Sequence, residues 1–189
     1  MNIVHVIVEG QADQVLLEKL LRDFKESVQI QFHIAEGKQS AHPLARTLQV
    51  RRGEPVALVL DADTNDSRMA EEEQSMYESY LNFTSKGVPF IVVLIRPSIE
   101  EIFFESPNIL SDITGKPLES KDILAGKAAP RLYLTELGVD WPRILSTLNE
   151  QQLQSLRTVE PVATLRHFVH DITENIATTH QQNTFAVTA

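Results

Sequence analysis

"IVHVIVEGQADQVLLEKLL", residues 3–21, decides the fold. Its first six residues form a short, β-branched, nearly continuous apolar run, the mark of a strand buried on both faces. The run stops at Glu9-Gly10. From Asp13 it resumes as an amphipathic pattern, with Val15, Leu16, Leu20, Leu21 and Phe24 near helical spacing and charges opposite. The same grammar recurs at "PVALVLDADTND" (55–66), where a second buried strand ends in Asp61 and Asp63 before a polar, acid-rich helix expected over 67–84. A third buried strand, "FIVVLI" (90–95), leads into "PSIEEIFFES" (97–106), where Pro97 and Ser98 stand in helix-starting positions. Between the first two runs, "VQIQFHIA" (28–35) alternates strictly and reads as a half-buried strand near a sheet edge. A helix over 41–52 follows it, ending around Arg51-Arg52-Gly53.

Strands alternate with helices, so each crossover contains a helix and the sheet is expected to be largely parallel. Residues 107–126, punctuated by Pro, Gly and Ser, read as an irregular connector, and 128–175 carry helical patterns that include Trp141. The expected organisation is an α/β domain over 1–106, a C-terminal helical extension over 107–176 packed on it, and a flexible tail over 177–189.

Composition narrows the function classes. With 42% hydrophobic residues the chain can bury a real core, and with no Cys it has no disulfide framework, thiolate metal site or Cys nucleophile. No apolar stretch reaches the length of a membrane span and no export signal is visible, so the expectation is a cytoplasmic protein without a membrane partner. The formal net charge of −9 repels polyanions at long range. Contact with nucleic acid would therefore need divalent cations, a local basic strip or a partner that supplies the grip.

In parallel α/β sheets, ligands bind beyond the carboxyl ends of the strands. Glu9, Asp61 and Asp63 all stand at such ends, and Asp13 lies one helical turn beyond Glu9. Each motif alone has a plainer reading: Glu9-Gly10 is a turn, and Asn65 or Asp66 caps the 67–84 helix. Together, at successive strand ends, they describe one acidic site. Clustered carboxylates raise one another's pKa, and a hard divalent cation with oxygen ligands removes that cost. A shared site requires the strands ending at Val8 and Leu60 to be direct neighbours.

"VEGQADQVLLEKLL" followed some fifty residues later by "LVLDADTN" resembles the Toprim domain of topoisomerases, bacterial primases, recombination proteins and OLD-type nucleases. The resemblance implies a three-layer, Rossmann-like α/β fold and Mg²⁺ or Mn²⁺ chemistry on phosphodiesters. It makes Glu9 a general acid/base or metal ligand and Asp61 and Asp63 metal ligands. The Glu9–Asp13 spacing is closest to the OLD-type branch, which adds Asp13 as a ligand. "EGKQS" resembles the Gly-Lys turn of small stand-alone Toprim proteins and brings in Lys38; "SIEEIFF" brings in Glu100 as a further ligand. "GKAAPRLYL" resembles a late Lys-containing segment and points to Lys127 as a phosphate or transition-state contact. The implied activity is a nuclease acting on nucleic acid, DNA rather than RNA, and binding it weakly alone. No Walker motif is present. The rival implication is therefore a non-catalytic Toprim module working through a separate ATPase, and an oligomer is compatible with either.

Other groups carry less. His167 and His170 sit three apart on an amphipathic pattern that reads as a surface helix, and His5 reads as a satisfied core residue. A receiver domain is disfavoured by the Glu-Gly turn in place of an early acid pair. Ser40 and Ser98 lack a G-x-S-x-G setting, and one Gly in "VIVEGQADQ" is too few for a dinucleotide fingerprint.

Overall fold

The three apolar runs and the alternating one become, in the computed structural model, one parallel sheet of strands β1 (Ile3–Val8), β2 (Gln29–Ile34), β3 (Val56–Asp61) and β4 (Phe90–Ile95) in the order β2-β1-β3-β4. The structure describes the backbone of residues 3–186 and the side chains of residues 3–174. The required adjacency holds, since β1 pairs with β3 in parallel from His5 opposite Val56 to Ile7 opposite Leu58. The crossovers are helical: α1 (Gln11–Leu20), α2 (Lys38–Arg52) and α3 (Ser67–Ser85).

The sheet is the middle of three layers. Val4, Val6, Val8, Ala57 and Val59 share a core with Leu16 and Leu20 of α1 and with the C-terminal helices. Ile7, Leu58 and Leu60 face the other way, onto Ala45 and Leu48 of α2 and Tyr77 and Leu81 of α3. Because chain order reverses between β1 and β3, α1 leaves toward one layer and α3 toward the other. A crevice opens at that switch point, beyond the strand ends.

Two strand expectations divide. β2 is the half-buried edge that its alternation indicated. β4 is not buried like the two central strands. It is the opposite edge, with Phe90, Ile91 and Leu94 only partly covered. Its apolar run reflects helices over both faces, since α3 and α10 (Val162–Ala186) both contact it.

The connector expected over 107–126 is largely helical. After the short helix α4 (Ile102–Glu105) come α5 (Pro107–Thr114) and α6 (Ser120–Ala128), then α7 (Pro130–Glu136), α8 (Trp141–Thr147) and α9 (Glu150–Arg157). The punctuation marks helix ends rather than a loop. Pro107 and Pro130 occupy first-turn positions, where their missing N–H costs nothing, and Gly115 closes α5 with φ at +72°. Gly126 has a packing reason: a Cβ there would stand 2.0 Å from the Phe104 ring, so only glycine lets α6 lie on α4.

His5 is fully buried and bonded at both ring nitrogens, to His33 at 2.9 Å and to Glu54 at 2.6 Å. His167 and His170 are exposed on α10 beside Asp171, as a surface helix requires. No helix among the described residues is long and apolar enough to cross a membrane. The tail expected over 177–189 lies outside the described side chains.

Candidate functional site

The strand ends are tied to each other before anything binds. At the end of β1 the chain turns through Gly10, which caps α1, and Asp13 folds back so that its Oδ2 accepts the Gly10 N–H at 2.9 Å. Glu9 reaches sideways across the switch point, and its Oε1 accepts the backbone N–H of Asp61 at 2.9 Å. Asp61 is the buried last residue of β3, and its Oδ1 accepts the Ile99 N–H at 2.8 Å. Two residues on, Asp63 stands in the left-handed region with φ at +55°, held there by its N–H donating to the Pro97 carbonyl at 2.9 Å. An aspartate tolerates this conformation better than most residues, but such strain concentrates at functional positions.

Around these acids lie two cations. Lys38 opens α2 after Gly37, whose φ of +113° favours glycine, and its Nζ stands 3.1 Å from Asp63 and 3.2 Å from Glu73. Opposite, Glu100 is buried in the turn of helix that follows β4 and accepts the Trp141 indole N–H at 3.2 Å. The guanidinium of Arg131 spans Glu100 and Asp61. Its Nε donates to Glu100 at 3.1 and 3.3 Å, and a terminal nitrogen bonds the outer oxygen of Asp61. Glu9, Asp13, Asp61, Asp63, Glu100 and Arg131 all line one cleft of about 580 Å³, with Trp141 and Ile144 in its wall.

Burial dominates the electrostatics. It pushes the Asp61 carboxyl up to about 7 against the pull of Arg131 and the Ile99 N–H, with Glu100 and Asp13 adding repulsion. Burial likewise raises Glu9, with Asp63 and Asp13 contributing, while the Asp61 N–H and Lys38 pull it down. Asp13 is raised by burial and by Glu100. At Lys38 burial favours the neutral amine, but Asp63 and Glu73 outweigh it and the ammonium is held above its ordinary range. The cleft thus holds more negative charge than its two cations neutralise.

Of the residues marked in the sequence, Glu9, Asp13, Asp61, Asp63 and Glu100 converge, and Lys38 stands at their rim. Lys127 does not join them. It lies on α6 and pairs with Glu105 outside the residues lining the cleft. The cation that arrives from that stretch is Arg131. Pro130 begins a new helix, so a side chain four residues after Lys127 points elsewhere. That proline was the available signal. Nothing in the spacing of Trp141 marked it as a partner of Glu100.

The donor set is all carboxylate oxygen, which suits a hard cation such as Mg²⁺ or Mn²⁺ rather than a soft one. The surplus of buried negative charge also fits a cation at this place. Among the described residues, however, no three His, Asp or Glu side chains already stand in ligating geometry. Part of the reason is visible, since Arg131 holds Asp61 and Glu100 and Lys38 holds Asp63.

No protein-family model matches the chain, and no curated protein matches it in sequence. Among solved structures it is similar to the C-terminal region of the OLD protein of Xanthomonas campestris pv. campestris. That likeness has a TM-score of 0.50 at 14% identity and covers 94% of this chain and 97% of that one. At such identity the likeness concerns the fold. It agrees with a Toprim-like α/β architecture whose central sheet is parallel and whose C-terminal part is a helical elaboration.

Proposed function

We propose that the chain is a Toprim-type nuclease unit performing Mg²⁺- or Mn²⁺-dependent phosphodiester chemistry on nucleic acid. The observation that carries this reading is the convergence of strand-end carboxylates from β1 and β3, with Asp13 and Glu100, on one partly enclosed cleft. Burying carboxylates without matching positive charge costs stability, and groups perturbed in this way cluster at functional sites. Glu9, Asp61 and Asp63 would hold the metal, with Asp13 and Glu100 beside them. When bound, a divalent cation lowers the pKa of water and stabilises charge on the leaving oxygen.

The chain's own groups do the rest. Glu9, its carboxyl raised above the ordinary range by burial and its Oε1 occupied by the Asp61 N–H, keeps Oε2 for the cation or for a proton. Lys38 sets an ammonium at the rim, where a phosphate oxygen carries charge. The left-handed turn at Asp63 keeps the second acid of the DxD pair at the mouth rather than in the core, with its side chain 60% exposed.

The grip on substrate is expected to be weak, because the charge of −9 opposes a polyanion. DNA is the substrate we favour. One observation keeps a second reading alive: the solved neighbour is one region of a larger protein, so a partner such as a separate ATPase could supply binding. The deciding experiment measures cleavage of labelled single- and double-stranded DNA and RNA with Mg²⁺, Mn²⁺ or chelator, on the wild type and on Asp61→Asn. Metal-dependent cleavage lost in the variant supports the nuclease. Divalent binding without cleavage of any substrate favours the partner-dependent module.

A further inference from the structure

From the contacts around Glu100 we infer that Arg131 is a built-in competitor for the divalent cation, a guanidinium latch that holds Asp61 and Glu100 and must be displaced for loading. The inference rests on the metal-site reading above and adds a residue that controls it. Asp61 has one oxygen committed to the Ile99 N–H. A cation that engages Asp61 from the cleft must use the other, which Arg131 holds. One oxygen can accept two partners, but a guanidinium and a divalent ion sharing it repel strongly at that distance.

The same guanidinium covers Glu100 through Nε, at 3.1 Å to one oxygen and 3.3 Å to the other. Its grip therefore spans two of the candidate ligands. Lys38 is a different case. It holds only Oδ2 of Asp63, a residue 60% exposed, and it is also secured by Glu73 at 3.2 Å, so it can stay while Asp63 turns its other oxygen inward. The latch comes from α7, so loading at the strand ends is coupled to how the helical extension sits over the cleft. Coupling of this kind is reciprocal: whatever holds Arg131 down weakens the cation, and the cation releases Arg131.

The protein carries its own reporter. Trp141 is the chain's single tryptophan, and its indole N–H donates to the Glu100 oxygen that also accepts from Arg131. The experiment titrates Mg²⁺ while following tryptophan emission, and Mn²⁺ by calorimetry, on the wild type, Arg131→Gln, Arg131→Lys and Lys38→Gln. The Arg131 side chain is 58% exposed, so its variants are expected to fold, and melting curves in chelator check this. The expected result is Mn²⁺ binding about tenfold tighter in Arg131→Gln than in the wild type, with Arg131→Lys between them. The emission of metal-free Arg131→Gln should already lie toward that of the Mg²⁺-loaded wild type. Wild-type binding with unchanged or weaker affinity in Arg131→Gln overturns the latch and leaves the metal site standing. Equal tightening in Lys38→Gln overturns it too, because the effect would then be general charge. No binding to any variant removes the metal-site reading, and the latch with it.

Discussion

The two walls of the cleft solve the same electrostatic problem with different materials. On one side Lys38, at the start of a helix directly connected to the sheet, neutralises Asp63 at the exposed mouth. On the other side Arg131, from a helix far along the chain, neutralises Asp61 and Glu100, both buried. The exposed pair needs one point charge, and water does much of the screening. The buried pair needs a planar fork able to serve two carboxylates at once, which is arginine chemistry. Depth, more than sequence position, decides which cation stands where.

The sharpest way to break this comparison is pH. Asp61 titrates near 7 in the folded chain and near 3.8 unfolded, so the folded state binds the extra proton across that interval. Stability contributed by the protonated form is therefore present at low pH and lost as pH rises through about 7, by on the order of 4 kcal/mol at the outside. In chelator, the melting temperature of the wild type should fall from pH 5 to pH 8. Asp61→Asn should remove the part of that fall that belongs to Asp61, since Asn keeps an oxygen for the Ile99 N–H, and leave the part from Glu9, Asp13 and Glu101, whose carboxyls burial also raises. Saturating Mg²⁺ should flatten the wild-type curve as well, because a bound cation replaces the missing positive charge. An Asn variant with the same slope as the wild type would show that the buried side is not under strain.

Catalysis separates the walls next. On the proposed nuclease reading, Asp61→Ala lowers cleavage at least about 100-fold, since that reading makes Asp61 a metal ligand on the deep side. It should not cost stability in chelator as a core truncation would, and calorimetric melts check that. Loss of stability on the scale of Leu20→Ala would mark Asp61 as structural instead.

A smaller effect is expected at the mouth. Lys38→Ala should weaken DNA binding about uniformly over sequence and lower the salt slope by about one unit, as the loss of a single phosphate contact does. Binding measured between low and moderate salt tests this, and an unchanged slope would remove Lys38 from the substrate path. Smallest of all is Lys127→Ala. Its pair with Glu105 is partly exposed, so stability should change by under about 1 kcal/mol, and Mn²⁺ affinity should not change. A large loss of activity there would return Lys127 to the site that the geometry denies it.

Much of this was legible because it is local. β-branched runs ending in acids specify strands with carboxylates at their carboxyl ends, and Asp66 caps α3 by accepting from Arg68 and Met69, as the polar turn after Asp63 indicated. Parallel pairing follows from the helices between the strands, and the alternation of β2 marks an edge. What failed was also local in cause. In residues 107–126, Pro and Gly read as breaks in structure, whereas they bound short helices: α5 shows its apolar face only in Ile109, Leu110 and Ile113, and α6 buries only Gly126.

By itself, then, the sequence determined the layered α/β fold and the placing of Glu9, Asp61 and Asp63 at or just past strand ends, because strand period acts over a few residues and each crossover helix is written between its strands; the pairing of β1 with β3 that gathers them is tertiary. Only the tertiary structure decided which cations meet those acids. Asp61 follows Ala57 and Val59 on the face turned toward the C-terminal helices, so its counter-charge comes from 70 residues away. Which of Lys127 and Arg131 arrives there depends on where α7 begins and how closely Gly126 lets α6 settle on Phe104. That is a matter of packing between distant segments, which spacing along the chain does not encode.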